Sequence, residues 1–503
     1  MLKLSLNMGR IRDFIKHNKR FHRALEVVPG FVSWNMILFP IWGSFVFPQA
    51  VAFVVLTFDI IWFYRSAMMG TTALVSYLKI ESAKKYDILG ELRASINFDE
   101  VYHIYMIVNV NEPLHTLARS LEAIANQDFP TQRIIVVLAM EEREKMAAEK
   151  AETLIKQFEG RIGKIYATYH PLLVGEVVGK SSNESYASKW IKKKIVDEMG
   201  LDINYVTIST SDADSLLHPK YFSYLTYLFL KSPNRYRRFW QGAVVFYNNI
   251  WRIPLPSRVL NSINTIWQMS QLSRPDRLIN YSTYSTSLKM VDEVGYWDTD
   301  VIPEDYRMFF KCFFKLRGEV EVEPIFLPIN ADAAESTSAL RTFKNQYYQQ
   351  QRWAWGASDD PHFIKWWLTV GNIPFWKKTR RVFKVLTDHL FWPVNWFIVT
   401  LGTNIPILLN PKFSQTVLGQ KLPSLSSSIL TLCLIFLLAT IYIDIKSRPK
   451  RPSKVGVMTK LTEHLGWALL PVFGFFLGAL PGIDAHTRLM FGKYLEYRVT
   501  EKV

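Results

Sequence analysis

Cysteine is nearly absent, with two in 503 residues, Cys312 and Cys433. That count excludes a small scaffold stapled by disulfides. Both thiols stand in apolar stretches and are expected to be buried. Acid is the scarcer charge: Asp+Glu number 44 against 60 Lys+Arg, a net charge of +16. Low-complexity tracts and internal repeats are missing. A hydrophobic content of 49% with 14% aromatics excludes a disordered chain. At roughly 150 residues per domain, the length suggests about three units. The mean hydropathy of +0.03 averages two unlike populations.

The first population is charge-free. No charged residue occurs from Val27 to Phe58. A membrane crossing needs ~20 apolar residues, so this run exceeds one crossing. Pro48 offers a turn. The pattern predicts a hairpin, with one helix from about Val32 to Phe47 and a second from about Ala50 into the low 70s. Three further charge-free runs follow, Leu390–Pro411, Leu422–Ile443 and Leu465–Ile483, giving five expected segments. Asp59 interrupts the second, and Arg65 follows. An intramembrane carboxylate is a functional candidate, but a residue pairing helices explains it equally well.

Lys and Arg in short flanks orient such segments. The N-terminal arm carries Lys3, Arg10, Arg12, Lys16, Lys19, Arg20 and Arg23. The loop after Ile443 carries Lys446, Arg448, Lys450, Arg451, Lys454 and Lys460, whereas the loop before Leu422 has only Lys412 and Lys421. This predicts a multi-pass protein of the plasma membrane with the N-terminus and the large middle region cytoplasmic. Parity then puts the tail after Ile483 outside, despite Arg488, Lys493, Arg498 and Lys502; a re-entrant last segment is the alternative. Between Pro361 and Leu386, Phe363, Trp366, Trp367, Phe375 and Trp376 interleave with Lys365, Lys377, Lys378, Arg380, Arg381 and Lys384. These are expected as interfacial helices, aromatic side in lipid and basic side toward anionic headgroups. That placement favours membrane lipids over nucleic acid as the partner of the basic excess.

The second population, from about Val101 to Trp355, alternates strand-like and helix-like runs. Strands are expected at Tyr102–Val110, Arg133–Met140, Lys164–Tyr169 and Asn204–Thr210. Helices are expected at Pro113–Gln127, Glu141–Phe158 (strongly charged, as a solvated face) and Ser181–Met199. Such alternation implies a parallel sheet covered by helices, with ligands at the carboxyl ends of its strands.

Chemistry-bearing residues cluster at those ends. Asn111-Glu112-Pro113 follows the first strand. Asp212-Ala213-Asp214 follows the fourth, and two carboxylates at that spacing can share Mg²⁺ or Mn²⁺ with a substrate phosphate. A helix cap explains them as well. The same spacing recurs at Asp298-Thr299-Asp300. Glu304-Asp305 opens an apolar helix, where acids also suit the macrodipole. On a helix Gln349, Arg352 and Trp353 share one face. A guanidinium binds phosphate bidentately and an indole stacks on a sugar ring, or packs into the core.

Taken together, these motifs resemble those of the processive, membrane-embedded family-2 glycosyltransferases, the group containing cellulose, chitin and hyaluronan synthases. The similarity covers most of the chain: Asn111-Glu112-Pro113, Gly179-Lys180 with Asn183, Asp212-x-Asp214, Glu304-Asp305 and Gln349-x-x-Arg352-Trp353, in order between membrane segments. It departs at the second strand, where the family's nucleobase-contacting Asp is missing and Glu141 is the candidate substitute, and at Val108, where a Pro is usual. No clean Gln-Thr-Pro follows Trp240, so cellulose is not the expected product.

The resemblance implies an α/β GT-A-like domain, a parallel-dominated mixed sheet, inserted between transmembrane helices. The expected organisation is a basic arm (1–26), hairpin (27–78), linker (79–99), catalytic domain (100–360), interfacial helices (361–388), C-terminal membrane bundle (389–484) and tail (485–503). It further implies metal-dependent, inverting transfer from a nucleotide sugar. Asp305 is then the base beside Glu304, and Asp214 with Asp212 holds Mg²⁺ or Mn²⁺. Asn111, Glu112, Glu141, Lys180, Asp212, Gln349 and Arg352 face the donor, and Trp353 faces the acceptor. The acceptor is a growing glycan, synthesised and secreted, or, alternatively, a lipid or polyprenyl phosphate reached in a single transfer. A degenerate membrane scaffold is the non-enzymatic alternative. Oligomeric state is not implied.

Overall fold

The computed structural model describes residues 12–93, 97–452, 456, 458, 463, 465–498 and 500. Lys3, Arg10, Lys454, Lys460 and Lys502 of the basic flanks lie outside the described residues.

The hairpin forms from α1 (Lys19–Val46) and α2 (Pro48–Lys85). The break falls at Phe47, which leaves helical geometry at φ −134. Pro48 then opens α2, where its missing N–H costs nothing. Both helices run well beyond the charge-free stretch.

The α/β domain follows in chain order as β1 (Tyr102–Val108), α3 (Leu114–Ala125), β2 (Ile134–Glu141), α4 (Ala147–Gln157), β3 (Lys164–His170), α5 (Lys180–Ile191), β4 (Val206–Asp212), β5 (Leu216–Leu217), α6 (Tyr221–Lys231), β6 (Arg238–Val245), α7 (Leu255–Leu272), β7 (Tyr284–Ser287), α8 (Glu304–Lys315), β8 (Glu321–Asn330) and α9 (Ala339–Ala354). The eight strands form one sheet in the order β3-β2-β1-β4-β7-β6-β8-β5. The first four are parallel; β7 runs antiparallel to both β4 and β6, and β8 is parallel to β6. β1 and β2 are buried on both faces, which is why they read as continuous apolar runs rather than alternating ones. This is the expected GT-A-like, parallel-dominated mixed sheet.

Two boundaries differ from expectation in a way that matters below. The helix expected from Glu141 starts at Ala147, and Glu141 ends β2. Glu141, Glu144 and Lys150 are buried rather than solvated. Register explains the site's location: Val108 of β1 pairs with Asp212 of β4, so the Asn109–Pro113 loop and the two aspartates leave the sheet side by side.

Beyond α9 come α10 (Asp360–Thr369), α11 (Phe375–Leu401), α12 (Val417–Ser447) and α13 (Gly466–Met490). Among the described residues four helices are long and apolar enough to cross a membrane, α1, α2, α12 and α13. The run Leu390–Pro411 is not a fifth. It is fused to the basic stretch in α11, ends at Leu401, and continues as the short turns Ile405–Leu409 and Pro411–Ser414. The interfacial expectation is corrected in part. Phe375, Trp376 and Phe383 are exposed, but four of the basic side chains, Lys365, Lys378, Arg381 and Lys384, are buried. Lys378 donates to the carbonyls of Trp367 and Val370, both at 2.6 Å. Arg381 donates to those of Asp276 and Leu278 at 3.1 and 3.2 Å. Lys384 lies 3.3 Å from Asp388. Asp388 also takes Arg277 at 2.8 Å and Arg65, so Arg65 joins α2 to α11. Cys312 is buried as expected, while Cys433 is only half-buried.

The tail is the larger correction. Gly466 abuts Leu255 of α7, and the far end of α13 returns to the start of α1, where Arg23 donates to the carbonyls of Leu489 and Met490 at 2.7 and 2.6 Å. Both ends of α13 therefore lie toward the catalytic domain, an arrangement of the kind the re-entrant alternative describes.

Candidate active site

Lys180 is the centre of the site. It opens α5, fully enclosed, with its ammonium 3.0 Å from Asp212, 3.0 Å from Glu304 and 3.7 Å from Glu184. It also donates to the Ser282 carbonyl at 2.6 Å. Burial pulls its pKa down, but Asp212, Glu304 and Glu184 together outweigh burial and hold it well above the ordinary lysine value. The group is a fixed cation.

Ser282 ties the carboxylates together. It stands at φ +51, uncommon for a residue other than glycine. Its hydroxyl donates to Asp212. Its N–H donates to Asp305 at 3.1 Å, and its carbonyl holds Lys180. Asp305 also accepts the Tyr306 N–H at 2.9 Å. Burial first, then the negative charge of Glu304, raises the Asp305 carboxyl to about 7. A carboxyl poised there accepts a proton at neutral pH far more readily than an ordinary one.

Asp214 is buried and accepts the Asp332 N–H at 2.7 Å, while Asp212 is half-buried at the end of β4. Asp298, from the second Asp-x-Asp spacing, pairs with Lys311 at 2.7 Å, and its carbonyl accepts from the Ser181 hydroxyl. On α9, Gln349 is buried and accepts from Gln346 at 3.0 Å. Trp353 packs against Phe246 with ring centroids 5.9 Å apart. Asn111 stands at φ +57, and its N–H donates to Glu144 at 3.0 Å. The Glu112 carbonyl accepts from Lys150 at 2.8 Å. Glu141 is buried and paired with Arg143. Lys180 thus touches both Asp212 and Glu304 and Ser282 links Asp305 to Asp212, whereas Asn111, Glu112 and Glu141 lie at the ends of β1 and β2.

Four participants were not legible as motifs. Glu184 lies one turn after Lys180 and accepts from Thr210; burial raises its pKa well above the usual range. Ser282 has no motif of its own. Tyr497 and Thr500 come from the tail. The Tyr497 ring lies on Gly179, where a Cβ would come within 3.2 Å of it. The Arg352 guanidinium sits 5.5 Å from that ring's centroid and donates to the Thr500 hydroxyl at 3.3 Å. Leu495 and Tyr497 pack with Ile302, Trp355 and Leu489. The signal for the tail was its positive charge, which was out of place on an outer surface.

The fold and these carboxylates define a GT-A-like domain among membrane-length helices. Residues 207–443, just under half of the chain, match the family model described as "Glycosyl transferase family group 2". That segment contains Asp212, Asp214, Glu304, Asp305, Gln349, Arg352 and Trp353. No curated protein matches the chain. Among solved structures, the chain is similar to the mannosyltransferase PcManGT of Pyrobaculum calidifontis in complex with GDP-Man and Mn²⁺, at 12% identity and a TM-score of 0.44, over 89% of this chain and 100% of that one. It is also similar to residues 1–349 of TarS from S. aureus in complex with UDP-GlcNAc, at 9% identity and a TM-score of 0.38, over 71% of this chain and 95% of that one.

Proposed function

We propose that this protein is an inverting, membrane-embedded glycosyltransferase that moves a sugar from a nucleotide-sugar donor onto a growing glycan. One observation carries the reading: a carboxyl at about 7, Asp305, adjoins a buried lysine shared by Asp212 and Glu304. Asp305 takes the proton of the acceptor hydroxyl as its oxygen attacks the anomeric carbon. The nucleoside diphosphate leaves from the opposite face. Lys180 and Arg352 stand where its charge grows, and Gln349 supports Arg352. Trp353 offers an apolar wall to the acceptor sugar. The Asn111–Glu112 loop and Glu141 face the nucleotide.

The donor set at Asp212 and Asp214 is all oxygen, which suits Mg²⁺ or Mn²⁺. Among the described residues no cluster of three or more His, Cys, Asp or Glu completes a protein cage, so donor phosphates and water would fill the other positions. A bound cation would neutralise charge on the departing diphosphate. Asp214→Ala is expected to abolish the metal dependence of donor binding; calorimetric titration with and without Mn²⁺ checks this. Tyr497→Ala is expected to raise the donor KM by about tenfold through loss of the ring over Gly179 and Arg352, with kcat less affected.

Basic flanks favour a plasma-membrane protein with the N-terminus and catalytic domain cytoplasmic, seated on lipid through Phe375, Trp376 and Phe383. Incubating membranes with a panel of nucleotide sugars and Mg²⁺ or Mn²⁺, and measuring released diphosphate, tests the activity. A ladder on product sizing supports polymer synthesis. A single glycolipid assigns transfer to a lipid acceptor, and no turnover with any donor sinks the enzyme reading.

A further inference from the structure

The stretch after β2 reads Glu141-Glu142-Arg143-Glu144-Lys145 and would ordinarily be a solvated turn. Instead Glu144 is 7% exposed and Lys150, on α4, is 9% exposed. Burying an opposite pair is repaid only when every charge-bearing atom is satisfied, and here the partners are unusual. One Glu144 oxygen takes the Lys150 ammonium. The other takes the Asn111 N–H at 3.0 Å. Lys150 also donates to the Glu112 carbonyl at 2.8 Å. The pair thus grips two consecutive residues of the loop between β1 and α3, Asn111 through its N–H and Glu112 through its carbonyl. Asn111 is itself left-handed at φ +57. Outside glycine that conformation persists where its surroundings over-determine it, and this pair is one of the holds on it.

We infer that Glu144 and Lys150 are positioning residues for the donor: a buried ion pair that holds Asn111 and Glu112 in the conformation that receives the nucleotide. The inference rests on the donor-facing reading of that loop given above. Neither residue touches the reacting groups at Lys180 and Asp305, so their loss acts on donor affinity rather than on the chemical step.

The test uses the full chain purified in nanodiscs, with Lys150→Met, Glu144→Gln and the conservative Lys150→Arg. Amide hydrogen exchange is read first. In Lys150→Met the peptide over residues 107–117 is expected to exchange about tenfold faster, while the β2 peptide over 134–140 is unchanged, because local opening is separable from global unfolding. Glu144→Gln keeps an acceptor for the Asn111 N–H and is expected to fall between. Steady-state kinetics follow, with whichever of UDP-GlcNAc, UDP-glucose or GDP-mannose the parent consumes. Lys150→Met should raise the donor KM by about tenfold with kcat within about threefold, and Lys150→Arg should restore it. Unchanged exchange over 107–117, equal acceleration of the β2 peptide, or a loss confined to kcat overturns the inference. If the parent consumes no donor, the proposed activity fails, and the exchange data alone decide whether the pair holds the loop.

Discussion

Asp305→Asn is expected to lower kcat by about three orders of magnitude, within the range for loss of a general base, while donor binding survives. Asparagine keeps the shape but accepts only one of the Ser282 and Tyr306 N–H groups, which reach different oxygens of Asp305, and it cannot take the acceptor's proton. The parent's activity should rise with pH through an acid limb near 7, the point to which burial and Glu304 raise this carboxyl, and the residual activity of the variant should lack that limb. The same residue makes a stability prediction of opposite benefit. The folded carboxyl binds its proton more tightly than an unfolded one, whose pKa is about 3.9. Stability therefore falls as pH rises from the ordinary carboxylate range through 7, and the whole cost is present above 7. Asp305→Asn, which has no charge to bury but loses one of the two N–H bonds at every pH, should gain in melting temperature relative to the parent between pH 4 and pH 8. Near-normal kcat in the folded variant would refute the base assignment; an unchanged melting difference across pH would refute its electrostatic origin.

Lys180→Met carries the second large effect. The substitution keeps the stem and removes the one cation shared by Asp212, Glu304 and Glu184. Leaving buried charge uncompensated typically costs about 3–5 kcal/mol, or about 10 °C in melting temperature for a domain of this size. The kinetic sign also follows. Lys180 lowers the Asp305 pKa, so its loss should move the acid limb of the pH–rate profile above 7 as kcat falls. A variant that melts with the parent and keeps its limb at 7 would remove Lys180 from the centre of the site. Arg352→Lys makes the contrast: it keeps a charge near the tail but not the fork that meets Tyr497 and Thr500, so donor KM should suffer without a shift of the limb.

What was legible in the residues was whatever depends on neighbours in the chain. Charge-free length gave the hairpin, and Pro48 its turn. Continuous apolar runs gave β1 and β2 to within two residues, because strands buried on both faces show no alternation. Motif order, together with the resemblance it supports, gave Asp212, Asp214, Glu304, Asp305 and Lys180 before any of them had a position in space.

Other features were set by distance through space. Charge alone suggested that Glu144 and Lys150 would be wet and that Lys378, Arg381 and Lys384 would face headgroups, and parity alone put the tail outside. In each case a partner remote in the chain reversed the expectation: the Asn111 and Glu112 peptides for Glu144 and Lys150, backbone carbonyls for Lys378 and Arg381, and Gly179 with Arg352 for Tyr497. Composition and periodicity determined that this chain has membrane-length helices and an α/β domain with carboxylates at its strand ends. Only the tertiary structure decided which charges are solvated and which are buried and shared. A charge's cost depends on the groups within a few ångströms of it, and sequence spacing does not report those groups once the chain has folded back on itself.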